Sequence, residues 1–242
     1  MNIVAIVQAR TGSTRLPNKV LKKIKNKKIL DYVIERVKLS KKINNVVLAI
    51  TKNPNDDILE KYAIEKKIKY HRGSENDVLE RFYKTAKKYN AEIIVRITSD
   101  CPLIDPNIID EIIKAHLYIK SDYTSNTIYR TFPRGMDTEV FSFKVLEYTF
   151  NNAKENYQRE HVTPYIRENP DKFKLKNIEA VGILKRPDLR LTVDTIEDYK
   201  LIKIILEEFN YINFKLKDII TFLNNNETLL DINKSIKQKE EK

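Results

Sequence analysis

Residues 3–21 read IVAIVQARTGSTRLPNKVL, an apolar run that ends abruptly in a polar loop. The apolar part is typical of a strand buried on both faces of a parallel sheet. The loop places Gly12, one of only four glycines in the chain, among the cations Arg10, Arg15 and Lys19. Open parallel sheets bind ligands beyond the carboxyl ends of their strands. The stretch therefore predicts a parallel α/β sheet with an anion site on its first loop.

The chemistry of this loop suits phosphate groups. Gly12 permits a tight turn and a close approach of the backbone to a ligand. Successive backbone N–H groups, together with Ser13 and Thr14, can form an anion-binding nest. A single glycine excludes both the GxGxxG dinucleotide motif and the GxxxxGK[ST] phosphate loop. The alternative is an ordinary basic surface loop that binds nothing.

Strand and helix patterns alternate along the first half of the chain. Predicted strands are NIVAIVQA, NVVLAIT, IKYH and EIIVRIT, and predicted helices are KILDYVIERVKL, NPNDDILEKYA, GSENDVLERFYKTAKKY and DPNIIDEIIKAHL. This order predicts a mostly parallel sheet with helices on both faces.

The second half is less regular. Strand patterns occur in DYTSNTIYR, DTEVFSF and DLRLTV, a helix begins within NYQREHVTPYIREN, and TIEDYKLIKIILEEF forms another helix. We expect this half to supply a small antiparallel lid. One domain covers residues 1–232, and the tail 233–242 is expected to be disordered.

Composition limits the class of protein. The chain of 242 residues has no apolar stretch of the ~20 residues that a membrane span needs, and its start lacks the pattern of a signal peptide. Cys101 is the only cysteine, so we expect no intrachain disulfide and a cytoplasmic location. The net charge of +11 comes mostly from lysines on amphipathic segments. Solvated lysine faces explain this charge, and we predict no nucleic-acid or membrane partner.

Seven segments in order resemble one family of enzymes. VQARTGSTRLPNKVL resembles the signature loop of sugar-activating nucleotidyltransferases, most closely the spore-coat-polysaccharide cytidylyltransferases (SpsF-like), and more broadly the CMP-sialic acid and CMP-Kdo synthetases. The likeness continues through GSENDVLERFY (73–83), VRITSDCPLIDP (95–106), DYTSN (122–126), FPRGMDTEVF (132–141), REHVTPYIR (159–167) and LRLTVDTIEDY (189–199). Two positions depart from the family: Asn18 replaces a usual glycine, and Leu191 replaces a common tryptophan.

The resemblance implies a Rossmann-like nucleotidyltransferase fold (GT-A-like) with three layers. It implies transfer of a nucleoside monophosphate, CMP from CTP, to a sugar or another small acidic or phosphorylated acceptor, with release of pyrophosphate, in surface-polysaccharide or glycoconjugate synthesis. The implied cofactor is Mg²⁺, and a homodimer is possible. No spacing in the sequence distinguishes cytosine from the other bases.

Two aspartates are expected to hold the metal. Asp100 follows the strand EIIVRIT, at the same sheet edge as the loop 10–19, and the resemblance makes it a metal ligand. The alternative for Asp100 is a turn aspartate without function. The resemblance gives Asp194 the same role, whereas its position also suits a helix cap, with Glu197 completing a capping box.

The remaining candidate residues belong to the two substrates. Expected catalytic residues are Arg10, Arg15, Lys19 and Asp100. Expected nucleotide contacts are Ala9, Arg10, Thr11, Gly12, Ser13, Arg15, Lys19, Arg72 and Ser99. Expected acceptor contacts are Arg134, Asp137, Glu139, Arg159 and His161. On a strand Asp137 and Glu139 would share a face, where they could bind hydroxyls or act as a base, or form a solvated face only.

Two other functions compete with this hypothesis. A glycosyltransferase on the same sheet would use an activated sugar, but such enzymes usually present a D-x-D pair where this chain has TSDCP. A non-enzymatic basic protein would bind RNA or DNA in a salt-sensitive manner. The chain shows no stacked aromatic stripe or helix-turn-helix spacing for such binding.

Overall fold

The structure, a computed structural model, describes residues 1–238. Within that range the strands are β1 (Ile3–Ala9), β2 (Lys23–Ile24), β3 (Lys27–Lys28), β4 (Asn45–Thr51), β5 (Lys69–Gly73), β6 (Ile93–Thr98), β7 (Tyr123–Ser125), β8 (Glu139–Ser142) and β9 (Leu175–Asn177). The α-helices are α1 (Ile29–Lys38), α2 (Asp57–Glu65), α3 (Val78–Lys88), α4 (Pro106–Ile119), α5 (Phe143–Asn152), α6 (Asn156–His161), α7 (Pro164–Arg167), α8 (Ile196–Glu208) and α9 (Leu216–Asn224).

Seven strands form one sheet in the order β5-β4-β1-β6-β8-β7-β9. The pairs β5-β4, β4-β1, β1-β6 and β7-β9 are parallel, and β8 runs antiparallel to both of its neighbours. The fold class expected from the sequence is confirmed. The separate antiparallel pair is the hairpin β2-β3 in the first half of the chain, whereas the strands of the second half join the main sheet.

Strand β1 is buried on both faces because helices cover the sheet on each side. Its side chains alternate between two cores, with Ala5 and Val7 in one and Val4 and Ile6 in the other. The first core is filled from α1, α2, α4, α8 and α9, and the second from α3, α5 and α7. Burial from both sides explains the unbroken apolar run that opens the sequence.

The strand order fixes where a ligand can bind. From β1 the chain moves outward through β4 to β5, and then returns to place β6 on the opposite side of β1. The crevice beyond the carboxyl ends of β1 and β6 is therefore the point at which the order reverses, the usual ligand site of open α/β sheets. The loop 10–19 follows β1, and Ser99 and Asp100 follow β6.

Two predictions in the second half were wrong. DLRLTV forms no strand, because its backbone bonds go to two separate segments: Leu191 N donates to Arg134 O at 2.8 Å, and Val193 N donates to Asp100 O at 2.9 Å. DYTSNTIYR is a strand only over Tyr123–Ser125. It ends there because the side chain of Asn126 takes over the backbone pairing, donating to Met136 O at 2.7 Å and accepting from Thr138 N at 3.0 Å.

The end of the described chain packs on the domain. Asn233 is 4% exposed, and Gln238 accepts a hydrogen bond from the guanidinium of Arg190 at 2.6 Å. Both residues belong to the stretch 233–242 for which the sequence suggests disorder, and residues 239–242 of that stretch lie outside the described residues. Among residues 1–238 no helix combines the length and the apolar character that crossing a bilayer demands.

Candidate active site

The loop after β1 is held in place by a buried carboxylate. Asp56, 2% exposed, accepts a hydrogen bond from the backbone N–H of Thr11 at 2.7 Å and another from the Thr11 hydroxyl at 2.6 Å. Its other oxygen accepts from the hydroxyl of Thr51, the last residue of β4. The adjacent strand thus fixes the first turn of the loop, which leaves Gly12 exposed and Ser13 half-buried at the crevice.

The backbone conformation of the loop accounts for Asn18 and for Gly12 in two different ways. Asn18 has φ 55° and ψ 27°, a left-handed conformation that glycine and asparagine tolerate best. Asparagine can therefore replace the glycine usual in the resembled family without changing the turn. Gly12 needs no left-handed backbone, and a methyl group built on it would lie 3.7 Å from its nearest neighbour, Glu75 Oε1. The space beside Gly12 is open enough for a ligand to approach the backbone there.

Lys19 joins the two predicted metal carboxylates. Its Nζ lies 2.7 Å from Asp100 Oδ2 and 2.6 Å from Asp194 Oδ1. Arg15 Nη2 lies 3.1 Å from Asp194 Oδ2. Residues from the loops after β1 and β6 and from the segment before α8 therefore converge, although 175 positions separate Lys19 from Asp194.

Partial burial strengthens these charge interactions. The side chains of Lys19 and Asp194 are each 14% exposed, and that of Asp100 is 22% exposed. Burial alone would raise the pKa of Asp100, but the charge and hydrogen bond of Lys19 outweigh it and lower the pKa to about 2. Burial would likewise lower the pKa of Lys19, yet Asp100 and Asp194 raise it above its ordinary value. At neutral pH Lys19 and Asp100 are therefore both charged.

Asp194 is not the helix cap that its sequence position allowed. Thr195 is the N-cap of α8: its hydroxyl accepts from Asp198 N at 3.3 Å, and Asp198 Oδ2 accepts from Thr195 N at 3.1 Å. The capping box is formed by Thr195 and Asp198, so the predicted pairing of Asp194 with Glu197 was wrong by one position. The consequence is that the carboxylate of Asp194 points to Lys19, Arg15 and Arg190.

The backbone segment that carries Arg134 and Asp137 brings these two acceptor candidates to the same crevice. Arg134 N donates to Leu189 O at 3.0 Å, so residues 134 and 190 form an isolated parallel bridge. Gly135 makes this contact possible, because it has φ +98° and an added Cβ would lie 2.4 Å from Leu191 O. The segment bearing Arg134 and Asp137 thus lies against the segment bearing Asp194.

Arg134 and Asp137 face different surroundings. Asp137 is 34% exposed and forms a two-pronged ion pair with Arg130, with distances of 2.7 and 2.8 Å. Arg134 is half-buried, and within residues 1–238 its guanidinium has no hydrogen-bond or ion-pair partner. Burial and the neighbouring charge of Arg130 lower the pKa of Arg134. The donors of the Arg134 guanidinium are therefore available for an anion.

Other predicted acceptor residues are already engaged inside the protein. Glu139, 6% exposed, pairs with Arg96 and accepts from the Tyr123 hydroxyl at 2.6 Å and from the Thr163 hydroxyl at 2.7 Å. Burial would raise the pKa of Glu139, but Arg96 lowers it overall. These contacts hold Glu139 inside the sheet, where it orders the neighbouring elements.

Arg159 joins two helices rather than lining the crevice. Its Nε and Nη2 lie 2.8 and 2.6 Å from Asp77 Oδ2, and its Nη1 donates to Ala153 O at 2.9 Å. Asp77 is also the N-cap of α3 and accepts from Glu80 N at 2.9 Å. Within residues 1–238 the hydrogen bonds and ion pair of Arg159 therefore do not reach Lys19, Asp100 or Asp194.

The segment after α6 contains a strained turn. Val162, fully buried, has φ 73° and ψ −52°, and Thr163 N donates to His161 O at 2.9 Å across it. This three-residue turn is rare and costly for a β-branched residue. It directs the Thr163 hydroxyl to Glu139 and leaves the side chain of His161 partly exposed.

Arg72 also serves the scaffold. It donates to the backbone oxygens of Thr51 and Asn53, each at 2.9 Å, and pairs with Asp57 at 2.6 Å and Glu60 at 2.7 Å. Of the other nucleotide candidates, Ala9 and Ser99 are buried at the carboxyl ends of β1 and β6, and Arg10 is exposed at the entrance of the loop. Their contact with a nucleotide is still a prediction.

The site residues that sequence reasoning missed are carboxylates that orient other groups. Asp56 anchors the loop, and Asp198, fully buried, accepts from Arg190 Nε at 2.9 Å. The signal for Asp198 was present as the T-x-x-D spacing of a capping box at 195–198. No local pattern marks Asp56, because its partner Thr11 lies 45 positions away.

The residues present suit a divalent cation shared with a substrate. Magnesium prefers one or two carboxylates, with waters and phosphate oxygens completing its octahedron. Asp100 and Asp194 both contact one nitrogen atom, so a single small cation can touch both. No cluster of three or more His, Cys, Asp or Glu residues suited to a metal occurs within residues 1–238.

A basic loop that faces paired carboxylates across the switch point of a parallel sheet is the arrangement expected of a nucleotidyltransferase. The cytidylyltransferase family matches residues 4–235. The spore coat polysaccharide biosynthesis protein SpsF of Bacillus subtilis is 37% identical over 231 residues, 93% of this chain and 95% of SpsF. The chain belongs to the cytidylyltransferase family.

Solved structures agree with this assignment. A cytidylyltransferase from Leptospira borgpetersenii superimposes with a TM-score of 0.91 at 37% identity, covering 99% of this chain and all of that one. A CMP:2-keto-3-deoxy-manno-octonic acid synthetase complexed with CTP has a TM-score of 0.63 at 16% identity, over 86% of this chain and 99% of that one, which is a likeness of fold alone. The resemblance described from the sequence is confirmed, and it favours nucleotidyl transfer over the two competing functions.

Proposed function

We propose that this protein transfers CMP from CTP to a hydroxyl of a small acidic or phosphorylated sugar-like acceptor and releases pyrophosphate. The observation that carries the proposal is the convergence of Lys19, Asp100 and Asp194 beside the loop 10–19. Family membership supports CTP as the nucleotide, and the likeness to SpsF supports a product used in a surface polysaccharide. The cytoplasmic location and the homodimer stay predictions from the sequence.

The basic loop would bind the triphosphate. The exposed guanidinium of Arg10, the backbone N–H groups around Gly12 and the Arg15 side chain line one side of the crevice. When CTP binds, the ammonium of Lys19 would interact with the phosphates as well as with the two carboxylates. The reaction needs these cations because charge accumulates on the phosphate oxygens as the leaving pyrophosphate departs.

Asp100 and Asp194 would hold a magnesium ion against the same phosphates. When bound, the ion neutralises phosphate charge and favours the in-line geometry of the displacement. The chain's contribution is to keep Asp100 ionised at neutral pH, as its lowered pKa indicates, and to hold Asp194 beside it through their shared contact with Lys19. Both carboxylates are also prevented from swinging into solvent by Lys19 and, for Asp194, by Arg15.

The acceptor would enter beside Arg134 and Asp137. An acceptor oxygen attacks the α-phosphorus, the bond from that phosphorus to the bridging oxygen breaks, and pyrophosphate leaves with the electron pair. Arg130 holds the carboxylate of Asp137 in place through two hydrogen bonds, and Asp137 would receive the proton of the attacking hydroxyl. Arg134 supplies a half-buried cation for a carboxylate or phosphate group of the acceptor.

The test is pyrophosphate release with each of the four nucleoside triphosphates and a panel of acidic, phosphorylated and neutral sugars, with and without Mg²⁺. We expect release that requires CTP, Mg²⁺ and an anionic acceptor, and its loss in Asp100→Asn while circular dichroism shows that the variant is still folded. Lys27→Met, which breaks an exposed ion pair with Glu35 elsewhere, is the control and should keep wild-type rates. Release without Mg²⁺, or full activity of Asp100→Asn, would contradict the proposal.

A further inference from the structure

A buried polar cluster lies directly behind Asp194. It consists of Arg190, Asp198 and Asn233, and we call it the Asp198 cluster. Arg190 is 7% exposed, Asn233 is 4% exposed and Asp198 is fully buried. Burying charge at this depth is costly unless every group is paired, so the arrangement of partners is informative.

Asp198 holds the backbone of Asp194. Its Oδ2 accepts from the backbone N–H of Asp194 at 3.0 Å and from that of Thr195 at 3.1 Å. Its Oδ1 accepts from Arg190 Nε at 2.9 Å and from Asn233 Nδ2 at 2.9 Å. All of these are charge-assisted hydrogen bonds to one carboxylate, so the main chain at Asp194 has little freedom to shift.

Arg190 holds the side chain of Asp194. Its Nη2 lies 2.6 Å from Asp194 Oδ2 and 3.2 Å from Asp198 Oδ2, so one guanidinium spans both carboxylates. Oδ2 of Asp194 lies between Arg190 and, at 3.1 Å, Arg15 of the loop, while the other oxygen, Oδ1, faces Lys19 at 2.6 Å on the side of Asp100. The fork of arginine therefore sets which oxygen of Asp194 is presented to the crevice.

The C-terminal segment Asn233–Gln238 completes this support. Asn233 Nδ2 donates to Arg190 O at 3.0 Å in addition to its bond with Asp198, and Gln238 Oε1 accepts from Arg190 Nη1 at 2.6 Å. Every nitrogen of the Arg190 guanidinium thus has a partner, and one of these partners comes from the end of the described chain. The C-terminal segment, which is remote in sequence from the loop 10–19, is therefore connected to Asp194 through the side chains of Arg190 and Asp198.

We propose that Arg190, Asp198 and Asn233 are positioning residues of the nucleotidyl-transfer site, and that the segment Asn233–Gln238 is part of the active site through them. The proposal rests on the proposed function, in which Asp194 binds a divalent cation. The partners that orient a metal ligand typically change metal affinity or activity by about 10–100-fold when they are replaced. A merely structural cluster would lower stability and leave the affinity unchanged.

The test measures Mn²⁺ binding by electron paramagnetic resonance, with and without a non-hydrolysable CTP analogue, together with kcat, KM for CTP and the melting temperature. In Arg190→Lys the ammonium can reach one carboxylate but not both, so we expect Mn²⁺ affinity to fall by about 10-fold or more and kcat to fall in parallel. Asn233→Ala should show the same pattern. Gln238→Ala, which removes a single partner of Arg190, should show a smaller loss than Arg190→Lys.

The matched control is Arg186→Lys. Arg186 also makes a forked pair with an aspartate two residues away, Asp188, and also contacts a residue near the C-terminus, Asn224, at 2.8 Å, but none of these bonds reaches Asp194. We expect wild-type Mn²⁺ affinity and kcat in this variant. Arg190→Lys rather than Arg190→Ala keeps the positive charge near Asp198, so the variant should fold.

The outcomes separate the two proposals. Variants of Arg190, Asn233 and Gln238 that melt earlier but bind Mn²⁺ and turn over like the wild type would overturn the positioning role and leave the proposed function intact. Wild-type protein that binds no Mn²⁺ and releases no pyrophosphate would overturn the metal site itself, and this proposal with it.

Discussion

The link between Lys19 and Asp100 can be measured as a pH-dependent stability difference. Lys19→Met removes the ammonium that lies 2.7 Å from Asp100 Oδ2 and keeps most of the apolar stem. Burial opposes the ionised form of Asp100, and Lys19 overcomes it, lowering the pKa from 3.8 to about 2. Because one pKa unit corresponds to about 1.4 kcal/mol, this lowering represents about 2 kcal/mol of folding stability.

The sign of the pH dependence follows from the direction of the shift. A carboxylate whose pKa is lower in the folded state stabilises the fold above its unfolded pKa, and this stabilisation is lost as the pH falls through the folded value. Lys19, whose pKa is raised, stays protonated in the folded protein throughout this range. The wild type should therefore exceed Lys19→Met by at least about 2 kcal/mol at pH 7, because burial then acts on Asp100 without the opposing charge of Lys19, and the difference should shrink as the pH falls toward about 2.

The assay is urea unfolding followed by circular dichroism at pH 7, 4 and 3, in buffer with EDTA so that no metal compensates. Lys27→Met removes one partner of a pair whose side chains are 45% and 39% exposed. It should cost less than about 0.5 kcal/mol, as exposed ion pairs do. Equal stability of wild type and Lys19→Met at pH 7, or a difference that does not change with pH, would refute the reasoning.

Three further substitutions test how the crevice is built. Asp56→Ala leaves the buried N–H of Thr11 without its partner, and should cost about 1–3 kcal/mol in unfolding free energy and raise KM for CTP in steady-state kinetics; an unchanged KM would show that the loop does not depend on this anchor. Gly135→Ala forces a Cβ to 2.4 Å from Leu191 O, and should cost about 2–4 kcal/mol by thermal melting; wild-type stability would contradict the close contact. Gly12→Ala has room for its methyl group, and should change stability by less than about 0.5 kcal/mol while weakening CTP binding in calorimetry; full CTP affinity would remove the reason given for this glycine.

Periodicity predicted most of the first half of the fold because buried strands and amphipathic helices follow simple local rules. The run at residues 3–9 and the helix face of Leu30, Val33, Ile34 and Val37 lie where the sequence placed them, and these side chains are buried. The same rule gave a wrong result for the segment 189–193, which it predicted to be part of a strand. Its apolar residues are buried, but its backbone bridges Arg134 and Asp100 instead of lining up in a ladder.

The candidate site likewise has a part that the sequence predicted and a part that it did not. The cations of the loop and Asp100 could be predicted because each directly follows a strand, and parallel strands end at one edge. The partners of these residues could not be predicted, because contacts such as those of Asp194 with Lys19 span most of the chain. Composition also cannot show that Glu139 and Arg159 form ion pairs inside the protein. Their partners, Arg96 and Asp77, are brought to them only when the helices and strands pack together.

The most direct test of the account is a crystal structure of the wild-type protein with CTP and Mn²⁺, with the metal located by anomalous scattering. The account predicts one anomalous peak in contact with both Asp100 and Asp194, and the triphosphate lying along the loop 10–19 with its oxygens near Arg10 and Lys19. A metal peak away from these carboxylates, or a triphosphate that does not touch the loop, would contradict it.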